Sequence, residues 1–105
     1  MVTGYRAELI SFTGNPSRKV NGMKGHKGVL IEARTGEGLF LFWVADLNSE
    51  DAYTLRTSTV LSVENSQEDL YTYRTANSVY TFRIEGETSK DELAEAAMRV
   101  GYYEV

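Results

Sequence analysis

Cysteine is absent from the chain. That excludes a disulfide framework, a thiol nucleophile and a thiolate metal site. There is one histidine, so a metal site would rest on carboxylates and suit hard cations alone. The acidic stretches 48–51 and 64–69 lack the spacing of a calcium-binding helix–loop–helix, and neither metal nor cofactor is expected. Long apolar runs are missing as well. The longest, Leu39 to Ala45, has seven residues, against about 20 for a bilayer-crossing helix. The opening MVTGYRAELI has no basic segment followed by an apolar stretch, unlike a secretory leader. No membrane association is expected, and the expected location is cytoplasmic. Proline occurs once, at Pro16, and no linker or low-complexity segment divides the chain. Residues 1–105 are therefore read as a single β-rich domain.

Hydrophobic residues make up 42% of the chain and charged residues 25%, enough apolar surface to offset chain entropy. The net charge of −4 argues against a general grip on nucleic acid, which needs a net basic face. Charge is nevertheless uneven. Residues 9–31 carry four bases and no acid, whereas 64–105 carry nine acids against four bases.

The hydrophobic pattern has a period of two. YRAELISFT (5–13) puts Tyr5, Ala7 and Leu9 on one face and Arg6 and Glu8 on the other, as in a half-buried strand. GVLIEART (28–35) alternates likewise, and Thr35-Gly36-Glu37-Gly38 reads as a turn. LFLFWVA (39–45) is apolar on both faces, which predicts a strand covered on both sides. Residues 52–64 resume the alternation, with Leu61 and Val63 expected inward. LYTYRT (70–75) and SVYTFRI (78–84) flank Ala76-Asn77 as a hairpin, with Tyr80, Phe82 and Ile84 on one face.

The period changes at the end. Ser89-Lys90-Asp91-Glu92 is a capping box. Leu93, Ala96, Ala97 and Val100 follow on one helical face, predicting a helix over 89–100 that packs on the sheet or caps a barrel end. The expected fold is mainly β (α+β): a six- to seven-stranded antiparallel bent sheet with one C-terminal helix. Either a small barrel of SH3-like or OB-like type or a bent sandwich accommodates this order. Strands followed by a single last helix resemble the pleckstrin-homology superfold, whose first inter-strand loop holds phosphoinositides. The chain departs from that family in its sparse basic residues and in a helix without tryptophan.

Two stretches carry candidate binding residues. The stretch NPSRKVNGMKGHKG (15–28) joins the first two strands and holds Arg18, Lys19, Lys24, His26 and Lys27. Its glycines at 22, 25 and 28 would let backbone N–H groups converge on an anion. No G-K-[ST] motif or helix follows, which excludes a phosphate-binding loop of nucleotide hydrolases. A solvated strand connection is the alternative. The second is the last hairpin, where Tyr71, Tyr73 and Tyr80 interleave with Arg74 and Arg83. Such a set stacks bases or forms a protein-binding hot spot, unless the rings pack the core.

Catalysis has little to rest on. His26 sits on a glycine-flanked loop, a poor place for a base that must hold geometry. Among the acids, Asp46 alone ends an apolar strand, where a turn needs such a residue anyway. The pattern T-S-x-V at Thr57 to Val60, followed by N-S-x-Y at Asn77 to Tyr80, resembles small uncharacterised β-rich proteins of phages and mobile elements. That resemblance implies an accessory or inhibitory protein and assigns no site residue. The expected function is a non-enzymatic binding module acting by protein–protein contact. The alternative is a small barrel binding nucleic acid through the basic loop 18–27. Homodimerisation through an edge strand stays open.

Overall fold

A computed structural model of the protein describes residues 2–14, 25–45, 53–57 and 59–100. Seven strands precede one helix: β1 (Val2–Gly14), β2 (Lys27–Thr35), β3 (Gly38–Ala45), β4 (Tyr53–Arg56), β5 (Val60–Gln67), β6 (Leu70–Thr75), β7 (Ser78–Glu87) and α1 (Lys90–Val100). All pairings are antiparallel, in the order β2-β1-β7-β6-β5-β3-β4. The additional β2–β3 pairing closes this sheet on itself. Six strands form a ring, and β4 lies alongside β3 as a seventh.

The interior follows the expected alternation, with one shift of phase. Leu30 from β2, Leu39, Leu41 and Trp43 from β3, Tyr73 from β6 and Tyr80 and Phe82 from β7 fill it. Trp43 meets Phe82 at a tilt and Tyr73 meets it edge to face, at ring-centre distances of 5.1 Å and 6.0 Å. In β1 the buried positions run Ala7, Leu9, Phe12. Period two would put Ser11 inward. The ladder with β7 skips Ile10, and this bulge turns the next side chains to the opposite faces. Phe12 thereby meets Tyr80 at 5.2 Å.

LFLFWVA is covered on both faces, as its composition requires. Leu41 and Trp43 point into the barrel. Phe42 and Val44 point out and, with Val29, Ile31 and Ala33 of β2, meet Ala96, Leu93, Ala97 and Val100 of α1. The helix therefore lies on the outer wall over β2 and β3 and plugs no opening. The Ser89 hydroxyl accepts from the Glu92 amide at 3.2 Å, as a helix cap does. The Arg6 guanidinium donates to Glu92 Oε1 at 2.6 Å, fixing the start of α1 to β1. This contact holds the Glu92 carboxyl below its usual range.

One expectation is corrected. Leu61 and Val63, expected inward, are not buried. β4 ends at Arg56, and β5 begins at Val60. Thr57 bridges the gap: its amide donates to the Leu41 carbonyl at 3.0 Å, and its hydroxyl accepts from the Leu41 amide at 3.1 Å. β5 then touches β3 at one pair, Leu39 with Val60. Beyond it the ladder with β6 slips by one residue at Leu61, and Leu61 and Val63 are 69% and 43% exposed.

Two close approaches lock the β1–β2–β3 wall. Gly28 lies between Ala7 and Ala45 in the ladder, and a Cβ there would fall on the Val44 carbonyl oxygen. Ala96 is fully buried under the same wall. Gly28→Ala and Ala96→Leu are each expected to destabilise the fold by about 1–3 kcal/mol through overpacking. Urea unfolding followed by the buried Trp43 indole measures both; unchanged midpoints would contradict this packing.

Candidate functional site

Of the basic stretch, Arg18, Lys19 and Lys24 lie outside the described residues, as do Gly22 and Asp46. The described end of the loop is committed to the fold. The Gly25 amide donates to the Leu9 carbonyl at 2.8 Å, and the Leu9 amide donates to the His26 carbonyl at 3.2 Å. Gly25 adopts φ +82°, a conformation that glycine enters without penalty. Its N–H is thus bonded to β1, and Gly28 serves close strand packing. Lys27 opens β2 opposite Glu8 and forms an ion pair with Glu85 at 2.9 Å. That contact raises the Lys27 ammonium above the usual lysine range.

The tyrosine–arginine group divides between the two faces of the sheet. Tyr73 is fully buried, and its hydroxyl donates to Glu32 Oε1 at 2.7 Å across the barrel. Tyr80 is buried and Tyr71 is packed against the same interior cluster. Arg74, next to Tyr73 in the strand, is exposed on the other face, and Arg83 pairs with Asp69 at 3.3 Å. The structure therefore does not bring Tyr73 and Arg74 together as a stacking surface. Burial holds the Tyr73 phenol far above the usual tyrosine range, and its bond to the Glu32 carboxylate adds to the shift.

The surface that alternation did not reveal is the open side of β5. On one side β5 pairs with β6 from Val60 to Gln67. On the other its single partner among the described residues is Leu39, opposite Val60. From 61 to 67 every second residue thus presents outward an N–H and C=O that have no strand partner among the described residues, as on an edge strand. Leu61, Val63 and Met98 are the exposed large hydrophobics among the described residues, and two of the three lie on this edge. Glu64 and Glu68 flank them, both exposed. Asn65 closes the β5–β6 turn, donating to the Gln67 and Leu70 carbonyls at 2.6 Å and 3.1 Å. The one signal in the sequence was the polar stretch Asn65-Ser66-Gln67-Glu68-Asp69, which ends the apolar alternation just beyond Val63.

No group of His, Cys, Asp or Glu among the described residues is arranged to hold a metal ion. None of the described helices is long and apolar enough to cross a membrane. No protein-family model, curated protein or solved structure matches the chain.

The Tyr73–Glu32 bond has a pH signature. The folded pKa of Tyr73 lies above its unfolded value of about 10. The neutral phenol therefore contributes fully below pH about 10, and its contribution is lost as pH rises beyond that. Tyr73→Phe is expected to cost about 1–3 kcal/mol at neutral pH, because Glu32 loses its donor. It should also flatten the alkaline decline, while half-buried Tyr5 and the Lys27 ammonium, both raised in the same direction, keep contributing to it. Urea midpoints at neutral pH and above pH ~10 read both effects; an alkaline slope identical to wild type would refute the assignment.

Proposed function

We propose that the chain is a non-enzymatic protein-binding module that takes up an extended segment of a partner protein along the open edge of β5. One observation carries this reading: the strand edge 61–67, which has no partner strand among the described residues and also exposes Leu61 and Val63. Strand addition draws affinity from main-chain hydrogen bonds and specificity from alternate side chains. Here the apolar positions are Leu61 and Val63. The charged positions are acidic, Glu64 on the strand and Glu68 in the turn. The fitting partner segment is extended and alternates apolar residues with lysine or arginine. The acidic excess of residues 64–105 favours encounter with such a segment.

Random peptides displayed for selection on the folded chain test this reading. Enriched peptides should alternate apolar and basic residues and should slow amide exchange in 61–67. Leu61→Glu combined with Val63→Glu should weaken them by at least about tenfold. The fold should shift by no more than about 0.5 kcal/mol, since both residues are exposed. Peptides that bind the double variant equally well, or that protect other amides, defeat the proposal. So does a homodimer in sedimentation that the double variant dissolves, because the edge would then belong to a second copy.

A further inference from the structure

A second surface is independent of the β5 edge. The β3–β4 ladder sets Arg56 directly opposite Phe42, on the outer face of the wall that α1 covers in part. Its guanidinium lies over the Phe42 ring at 5.7 Å and over the Phe40 ring at 5.9 Å. Beside these groups is a cavity of about 440 Å³, floored by Ala33, Phe40 and Phe42 and bounded by Val100 at the end of α1. Its size falls in the range of sites for small organic ligands. Glu37, from the β2–β3 turn, reaches the same cavity.

Arg56 is held by rings rather than by a carboxylate. Arg6, Lys27, Arg83 and Arg99 each meet a carboxylate. Arg56 forms no ion pair with any described residue, and its guanidinium lies over the two rings. An arginine held against aromatic faces keeps its planar fork of donors directed outward, poised for two parallel bonds to a carboxylate. The adjoining floor is apolar. Glu37 supplies one negative charge at the rim, which repels a dianion more strongly than a monoanion.

We infer that this cavity binds a small monocarboxylic acid with an aromatic or branched aliphatic body. The carboxylate pairs with Arg56, and the body lies on Phe40, Phe42 and Ala33. The doubly charged character of a phosphate monoester near neutral pH disfavours it beside Glu37.

Titration of the isotope-labelled full chain with phenylacetate and with phenylacetamide, followed by amide NMR, tests the inference. The acid should give saturable shifts at Phe40, Arg56 and Val100 and should bind at least about tenfold more tightly than the amide. Arg56→Gln should abolish that preference while leaving the urea midpoint in place, since Arg56 is exposed. Arg56→Lys should retain part of it, as a point charge without the planar fork. Equal affinity for acid and amide, an unaltered preference in Arg56→Gln, or no saturable shift would each overturn the proposal. A parallel titration with a short peptide ending in phenylalanine, free or amidated at its C-terminus, separates sources of the carboxylate. Binding by the free-ended peptide without binding by phenylacetate would overturn the small-acid assignment. Because β5 takes no part in this cavity, Leu61→Glu with Val63→Glu should leave acid binding unchanged.

Discussion

The outer edge of β3 is the constraint on which the rest of this molecule depends. β2 takes the whole of the opposite edge, from Gly28–Ala45 to Thr35–Gly38. The remaining edge is divided among three partners: β4 at Phe42 to Ala45, Thr57 at Leu41, and β5 at Leu39. A barrel needs β5 along that edge to close fully, but four residues of it are already bonded to β4. Closure is consequently reduced to one residue pair backed by the two Thr57 hydrogen bonds. The open β5 edge and the position of Arg56 above Phe42 are two consequences of the same division.

The β2–β3 pair accepts this arrangement because it is supported from both sides. Inside, Leu30, Leu41 and Trp43 belong to the barrel core; outside, Val29, Ile31, Phe42 and Val44 belong to the helix-covered cluster. Each buried aliphatic or aromatic side chain contributes about 1.5–3 kcal/mol relative to exposure. A strand buried on two faces is thus far better fixed than one buried on a single face. β5 is the converse case. Val60 is buried, yet every residue from Leu61 to Asp69 is exposed, so its position relies on the ladder with β6.

These contrasts explain what could be read from residue order. LFLFWVA announced two-sided burial because apolar residues occupied both parities. The helix announced itself through Leu93, Ala96, Ala97 and Val100, and Tyr80, Phe82 and Ile84 through clean alternation. Period two failed where the backbone departed from it. The skipped Ile10 exchanged the faces of β1 and turned Phe12 inward, whereas in β5 both parities from Leu61 to Asp69 are exposed. Alternation assigns parity but not side, and which parity is buried at 61–63 depends on whether a neighbouring strand or layer arrives there. The basic loop was visible as a run of charge. That the Gly25 amide bonds to Leu9 and Lys27 to Glu85 depends on β1 and β7, remote in sequence. Arg56 carried no local signal, since its surroundings come from β2, β3 and the end of α1.

Hydrogen bonding shows why the gap between β4 and β5 persists. A continuous strand through 53–64 would continue along β3 beyond Arg56 and pair with its first residues, as β4 pairs with its last. Thr57 interrupts that course. Its hydroxyl accepts the Leu41 amide that a continuing ladder would bond to a backbone carbonyl, so no buried amide is stranded at the break. The side chain replaces one rung of the ladder and releases the chain to leave β3 and return at Val60. With the break made locally satisfied, the chain loses no buried hydrogen bond by leaving Leu61 and Val63 in water. The cost is the apolar burial those two side chains forgo, about 1.5–3 kcal/mol each if fully covered. An extended segment laid along 61–67 would recover part of that burial together with main-chain bonds along an edge that has no strand partner among the described residues. The same residue that lets the barrel stop short of full closure therefore leaves a surface whose missing contacts are those of a strand.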